Sequence, residues 1–328
     1  TEKVLAYSKG LEDGGVLSVS KHFPGHGDTN VDSHKALPVL NFSRERLDSV
    51  ELYPFRKMIE AGLGGVMVGH LEVPALSKKT ASLSPEIIGL LKEEYGFKGL
   101  VFTDALEMKG VSNNLNVCAR ALMAGNDMLL APRNLKRELD GVLAAVKSGE
   151  LTEEQITEKC RKVLTFKYAL GLYEKQFIQL SGLENRLTRP ETKDLIARIQ
   201  KAAVTVASND GGALPLEMSL KGSVVLNIGK SSAGDVFSKR LKRYLSVDCI
   251  QANPDSIAKI RKRLSAYDRV IVAIHTEKYA PYQSLLNEIA IKKPLIYTYF
   301  TPLRQMYKKG NNWRKAAAVR QRRKCRRL

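Results

Sequence analysis

Residues 99–110 read GLVFTDALEMKG, and this stretch decides the fold. Its first five residues are a short run of mainly apolar and aromatic side chains that opens with a glycine, which is typical of a buried strand. Asp104 follows the run directly. A carboxylate at the end of an apolar strand is costly to bury unless it is used or paired. The stretch therefore predicts a strand whose C-terminal end carries either a functional carboxylate or the N-cap of a following helix.

Similar short runs lie on both sides of this stretch, and segments with helical periodicity separate them. The predicted strands are residues 15–20, 65–69, 99–103 and 127–131. The predicted helices are residues 44–61, 84–95, 116–124, 137–148 and 152–170. Strands that alternate with helices indicate a parallel sheet with crossover helices. Lys21, His22, His70 and Asp104 follow the C-terminal ends of three strands, where a (β/α)₈ barrel carries its chemistry.

Two helix starts are marked by their capping residues. Ser84 precedes Pro85 at the start of one helix, a combination that suits the cap and the first turn. Thr152 and Gln155 have the spacing of a capping box at the start of another helix. These signals support the starts of the predicted helices at 84–95 and 152–170.

The visible strands account for only half of a (β/α)₈ barrel, and such a half would have two open edges. Either the N-terminal half of the barrel is missing from this sequence, or the sheet is smaller and open. The second half of the chain repeats the strand–helix pattern and predicts another doubly wound α/β domain. The expected domains are a half-barrel at 1–176, a linker at 177–190, an incomplete α/β domain at 191–303 and a basic tail at 304–328, disordered or frame-shifted.

The net charge of +19 comes largely from the C-terminal tail. Eleven Lys and Arg lie between Arg304 and Arg327, and no Asp or Glu follows Glu288. A run of this kind is found in nucleic-acid-binding arms and in disordered tails, but it lacks the interleaved aromatic residues that single-strand binding favours. The rest of the chain is only mildly basic, so the charge says little about the candidate site.

Other features exclude several classes of protein. The four cysteines form no C-x-x-C pair, so neither a zinc site nor a redox motif is indicated. No run of about 18 apolar residues is present, and no membrane span is expected. The N-terminal residues have no signal-peptide pattern, and the sequence leaves the localisation open.

The long polar segment KHFPGHGDTNVDSHKALP, residues 21–38, follows the first strand. Loops of this length inside compact domains are usually functional. Its spacing of Asp32 and His34 allows a carboxylate to fix the tautomer of an imidazole and to stabilise its charged form, as an acid/base pair requires. The alternatives are a polar surface loop with an Asx-turn, and a metal site built from His22, His26, Asp28 and His34. The glycines and the proline argue against a preset ligand face, so no metal is expected.

Four motifs, in this order and at this spacing, resemble the glycoside hydrolases of family 3, and within them the bacterial β-N-acetylglucosaminidase branch. They are KHFPGHGDTNVDSHKALP at 21–38, GVMVGHLEVPAL at 65–76, GFKGLVFTDALEMKGV at 96–111 and AGNDMLLAP at 124–132. The resemblance covers about residues 1–175. It implies an α/β fold made of the C-terminal half of a (β/α)₈ TIM-type barrel followed by an α/β sandwich domain.

The resemblance also implies roles for particular residues. Asp104 corresponds to the catalytic nucleophile of a retaining glycosidase, and Asp32 with His34 corresponds to the acid/base dyad of this branch. Lys21 and His22 correspond to residues that hold sugar hydroxyls. We further expect His70 and Met108 to line the pocket, with a His that merely satisfies its hydrogen bonds at a strand end as the alternative for His70. The expected substrate is an oligosaccharide with terminal N-acetylglucosamine, and no cofactor is expected.

Several other functions stay open at this stage. The nearest alternative within the enzymes is another family 3 activity, such as that of a β-glucosidase. Phosphate could replace water as the acceptor, because a His acid/base repels an anion less than a carboxylate does. A catalytically silent fragment or a carbohydrate-binding module would keep the motifs without turnover. Nucleic-acid binding rests on the tail alone and is not expected.

Overall fold

The computed structural model describes residues 1–29, 37–111, 115–174, 177–209, 212–216 and 222–301, and the backbone of residues 317–320. The chain divides into two compact units, residues 1–178 and 179–328. Each unit is built on its own sheet.

The first unit consists of four strands with helices between and after them. The strands are β1 (Val19–Phe23), β2 (Gly65–Val68), β3 (Leu100–Ala105) and β4 (Met128–Leu130). The helices are α1 (Glu2–Asp13), α2 (Arg44–Arg46, continued by a π-helical turn at Leu47–Glu51), α3 (Tyr53–Glu60), α4 (Pro85–Gly89, continued by a π-helical turn at Leu90–Glu94), α5 (Val117–Met123), α6 (Leu135–Lys147) and α7 (Glu153–Ala169). A short 3₁₀ turn lies at Ala81–Leu83. The strands are parallel and lie in the order β1-β2-β3-β4, which confirms the predicted α/β class.

Side chains at the helix starts form the predicted caps. The Ser84 hydroxyl accepts a hydrogen bond from the backbone N–H of Ile87, and Pro85 occupies the first turn of α4. Thr152 and Gln155 form both hydrogen bonds of the predicted capping box at α7. Each cap satisfies backbone N–H groups that have no partner inside the helix.

The first strand begins four residues later than predicted. Gly15 has a φ of +80° and Val16 is exposed, so the chain turns there before it joins the sheet. Pairing with β2 starts at Val19, opposite Gly65. Lys21 and His22 therefore lie on β1 itself rather than after it.

The second unit contains another sheet. Its strands are β5 (Thr205–Ser208), β6 (Ser223–Ile228), β7 (Val247–Gln251), β8 (Arg269–Ile274), β9 (Leu295–Tyr299) and β10 (Ala317–Arg320). Its helices are α8 (Leu183–Leu187), α9 (Pro190–Ala202), α10 (Ser231–Leu241), α11 (Ile257–Leu264) and α12 (Gln283–Lys292), with 3₁₀ turns at Pro254–Ser256 and Ala280–Tyr282. The strand order is β5-β10-β9-β8-β6-β7, parallel except where β10 meets β5. Strands β6 and β8 are buried along their whole length, as expected for a sheet covered on both faces.

Two elements lie in segments for which the sequence predicts no regular structure. Helix α8 falls inside the predicted linker at 177–190. Strand β10 falls inside the predicted basic tail at 304–328 and pairs with β9 and β5 through its backbone. The other domain boundaries stay a prediction.

Candidate active site

Side chains of interest meet at one edge of the first sheet, because parallel strands all end on the same side. His22 lies near the end of β1, and Asp104 is the fifth residue of β3. Their side chains approach each other across the end of β2, with His22 Nε2 3.4 Å from Asp104 Oδ2. Both are partly shielded from solvent, with 27% and 16% of the side chains exposed. The structure thus brings together two of the predicted site residues.

Gly69, directly after β2, lies close against the side chain of His22. A Cβ at that position would lie 3.0 Å from the Cβ of His22 and 2.7 Å from a methyl carbon of Leu71. A side chain at this position would therefore require Leu71 to shift and would press tightly against His22. Glycine at position 69 thus allows β2 to end close against the side chain of His22.

The two carboxylate oxygens of Asp104 lie in different surroundings. Oδ1 accepts a hydrogen bond of 2.9 Å from the backbone N–H of Ala105, whereas Oδ2 is the oxygen nearer to His22. Asp104 is a strand residue here, and residues 106–111 form turns. The alternative of a helix N-cap is therefore wrong, since α5 begins only at Val117.

Burial lowers the pKa of His22 below its ordinary value. The charge of Asp104 opposes this shift, while Lys21 and the other nearby imidazoles add to it. The net direction favours a neutral imidazole at neutral pH. The Asp104 carboxylate then faces an uncharged donor or acceptor instead of a fixed cation.

His70 is completely buried, and both of its ring nitrogens have protein partners. Nε2 lies 3.0 Å from the carbonyl oxygen of Ala105, and Nδ1 lies 2.7 Å from the hydroxyl of Ser82. No ring nitrogen remains for a sugar hydroxyl. The expectation that His70 lines the substrate pocket is therefore corrected: its ring nitrogens contact Ser82 and Ala105, as in the alternative of a His that satisfies its hydrogen bonds at a strand end.

The remaining predicted binding residues lie in two different environments. Lys21 is exposed on β1. Met108 is only 5% exposed, and its backbone N–H donates to the carbonyl of Ala105. Their roles toward a substrate stay predictions. Asp32 and His34 lie outside the described residues, so the structure places neither member of the predicted dyad.

The start of the polar loop is anchored to α2. The Asp28 carboxylate lies 3.3 Å from the guanidinium of Arg46, which also pairs at 3.0 Å with the buried Glu51. His26 shares a hydrogen bond of 2.8 Å with the Thr29 hydroxyl. Among the described residues, no three His, Cys, Asp or Glu side chains cluster in a way that could hold a metal ion.

Neither Ser82 nor Asn126 is singled out by the sequence, although Asn126 lies within the motif AGNDMLLAP. The side-chain amide of Asn126 donates to the backbone carbonyl of Ser82 at 2.9 Å and to that of Ala121 at 2.7 Å, and it is fully buried. Ser82 in turn contacts His70. Serines and asparagines in turns are frequent, so only the tertiary contacts reveal this pair.

No helix in the described part of the chain is long and apolar enough to cross a membrane.

A parallel α/β unit with a carboxylate and an imidazole at the carboxyl edge of its sheet has the arrangement of (β/α) barrel enzymes, which carry their catalytic residues at that edge. A family model described as the glycosyl hydrolase family 3 N terminal domain matches residues 2–166. The chain belongs to glycosyl hydrolase family 3, which confirms the predicted family and its barrel-type fold class.

The proteins to which this chain is similar are consistent with this family assignment. The chain is 32% identical over 242 residues to the beta-hexosaminidase A of Pseudoalteromonas piscicida, covering 66% of this chain and 40% of that protein. It is 28% identical over 225 residues to a beta-N-acetylglucosaminidase/beta-glucosidase of Cellulomonas fimi, covering 64% and 40%. The solved structure of a family 3 beta-N-acetylglucosaminidase from Paenibacillus sp. str. FPU-7 superposes with a TM-score of 0.78 at 28% identity, covering 96% of this chain and 64% of that one. The chain thus spans about 40% of the length of these curated relatives.

Proposed function

We propose that this chain carries the catalytic residues of a retaining exo-β-N-acetylglucosaminidase that removes terminal N-acetylglucosamine from oligosaccharides, peptidoglycan fragments among them. The observation that carries the proposal is the position of Asp104 at the carboxyl edge of the sheet, with Oδ1 held by a backbone N–H and Oδ2 facing His22. The names of the Pseudoalteromonas and Paenibacillus proteins support the choice of sugar. No cofactor is required by this chemistry.

The reaction runs in two displacements. In the first, Asp104 Oδ2 bonds to the anomeric carbon while His34 donates a proton to the departing glycosidic oxygen. In the second, His34 takes a proton from water, the water oxygen bonds to the anomeric carbon, and the bond to Asp104 breaks. Asp32 orients the imidazole and stabilises its charged form, while Lys21 and His22 hold sugar hydroxyls.

Replacing Asp104 tests the proposal directly. Asp104→Asn removes the nucleophile, and we expect the rate of the chemical step to fall by several orders of magnitude. Trapping with a 2-fluoro sugar followed by peptide mass analysis should place the label on Asp104. The matched control is Glu107→Gln, which neutralises an exposed carboxylate three residues along and should retain the rate. A label on any other residue would refute the assignment.

A β-glucosidase activity is the second candidate, because the Cellulomonas relative is named for both activities. The two activities are distinguished by measuring kcat/KM for an aryl β-glucoside and for an aryl N-acetyl-β-glucosaminide that carry the same leaving group. We expect a clear preference for the N-acetylated sugar. A preference for the glucoside would favour the second candidate and leave the role of Asp104 unchanged.

A further inference from the structure

A buried chain of hydrogen bonds runs behind the candidate nucleophile. It begins at Asn126, whose amide donates to the Ser82 carbonyl at 2.9 Å. It continues from the Ser82 hydroxyl to His70 Nδ1 at 2.7 Å and from His70 Nε2 to the Ala105 carbonyl at 3.0 Å. The side chains of Asn126, Ser82 and His70 are all fully buried.

The direction of these hydrogen bonds follows from the chemistry of the groups. A backbone carbonyl only accepts, so the proton of the contact with Ala105 belongs to Nε2 of His70. In a neutral imidazole Nδ1 is then an acceptor, and the Ser82 hydroxyl donates to it. Burial lowers the pKa of His70, which agrees with a neutral ring. The Ala105 carbonyl thereby selects the tautomer of His70, and the Ser82 hydroxyl completes the arrangement by donating to Nδ1.

The chain ends on the residue that holds Asp104. Ala105 donates its N–H to Asp104 Oδ1 at 2.9 Å, and its carbonyl receives both His70 Nε2 and the N–H of Met108. The N–H of Leu106 donates to the carbonyl of Leu130 at the end of β4, and the N–H of Glu107 donates to the carbonyl of Ala131 just beyond it. His70 supplies the side-chain contact that holds this turn from the β2 side.

We infer that His70 is a positioning residue for the proposed nucleophile: its imidazole donates from Nε2 to the Ala105 carbonyl, is held at Nδ1 by the Ser82 hydroxyl, and so fixes the Ala105 segment and hence the orientation of the Asp104 carboxylate. This inference rests on the proposed function for its kinetic consequence. The tautomer itself is independent of it. Small displacements of a reacting group lower rates strongly, on the order of 10²-fold for about 1 Å.

The first measurement is the nitrogen-15 spectrum of the imidazoles in the purified protein at pH 7. The chain has five histidines, and the signals of His70 are those that disappear in His70→Gln. We expect a protonated Nε2 and an unprotonated Nδ1. A protonated Nδ1, or a doubly protonated ring, would overturn the inference whether or not the protein is a glycosidase.

The second measurement is the kinetics of matched variants. Ser82→Ala removes the hydrogen bond that holds Nδ1 of His70, and we expect kcat to fall by about tenfold to 10²-fold with KM little changed. Ser84→Ala is the control, since Ser84 is equally buried two residues away but caps α4; it should lower thermal stability and retain kcat. His70→Gln keeps a donor near the Nε2 position and should retain more kcat than His70→Leu.

Two outcomes separate the inference from the proposed function. If Ser82→Ala and Ser84→Ala have the same kcat, His70 is only structural and the inference fails. If the wild-type protein is not labelled at Asp104 by the 2-fluoro sugar, the proposed function fails, while the nitrogen-15 spectrum still decides the tautomer.

Discussion

At the residue scale, the two carboxylate oxygens of Asp104 have different neighbours. The hydrogen bond from Ala105 occupies Oδ1, and Oδ2 faces the partly buried His22. A neutral imidazole beside Oδ2 does not pair with the carboxylate as a fixed cation would. The arrangement suits the proposed role of Asp104, in which Oδ2 bonds to the anomeric carbon.

The acid/base role assigned to His34 predicts a dependence on the leaving group. His34→Ala should lower kcat/KM for alkyl glycosides by about 10²–10⁴-fold, because their leaving oxygen needs a proton. For aryl glycosides with acidic leaving groups the first step should be affected far less. The measurement is kcat/KM across a series of leaving groups.

Two further variants of the same loop sharpen this test. Asp32→Asn should reproduce the pattern of His34→Ala in a weaker form, because it disturbs the imidazole without removing it. His26→Ala is the control for a disturbed loop, and any loss that it causes should be equal for both kinds of substrate. Equal losses in His34→Ala would contradict a general-acid role.

At the element scale, the turn after β1 depends on Gly25. Its φ is +139°, and a Cβ there would lie 2.7 Å from the Cβ of Glu51 in the π-helical turn that follows α2. We expect Gly25→Ala to lower the free energy of unfolding by about 1–3 kcal/mol, through both strain and overlap. Urea unfolding of the purified protein measures this change.

Gly27 provides the control for that substitution. It lies two residues further along the same turn, and a Cβ there would have no neighbour within 4 Å. Gly27→Ala should therefore change the free energy of unfolding by no more than about 0.5 kcal/mol. Equal free energies of unfolding for the two variants would contradict the close packing of Gly25 against Glu51.

At the scale of the whole molecule, a buried ion cluster joins distant parts of the first unit. The Asp127 carboxylate lies 2.9 Å from Lys92 and 2.8 Å from Lys162, and it accepts the N–H of Val101 at 2.9 Å. Burial alone would raise the pKa of Asp127, but its bonds to Lys162 and Lys92 hold it below the ordinary value. The cluster links the turn after α4, strand β3, the start of β4 and helix α7.

A third lysine gives this unit a pH-dependent stability. Burial, with Lys92 and Lys162 nearby, lowers the pKa of Lys159 from 10.5 to about 8. Between these values the unfolded chain binds more protons than the folded one, so the free energy of unfolding should rise with pH from about 8 to 10.5. Thermal unfolding at pH 7.5 and pH 9.5 measures the gain.

The variant Lys159→Met removes this titration and should lose that part of the gain. Lys147→Met, at an exposed lysine of α6, should keep the gain of the wild type. Should Lys159→Met gain as much stability between the two pH values as the wild type, the shifted titration would have to belong to another group.

The sequence alone determined the alternation of strands and helices, the caps at Ser84 and Thr152, the family and the residue proposed as nucleophile. Periodicity and capping are local properties, because they depend on residues a few positions apart. The residue types within the four motifs also indicate the chemistry of the candidate site. These parts of the fold and the site could therefore be predicted without coordinates.

Only the tertiary structure decided where β1 begins, that Asp104 is a strand residue, and that His70 faces inward. The contacts responsible join residues far apart in the chain: Val19 with Gly65, His70 with Ala105, and Asn126 with Ser82. A serine or histidine reads the same in sequence whether it binds a sugar or another buried side chain. The choice between these roles depends on which partner the packing of the sheet places within hydrogen-bond distance.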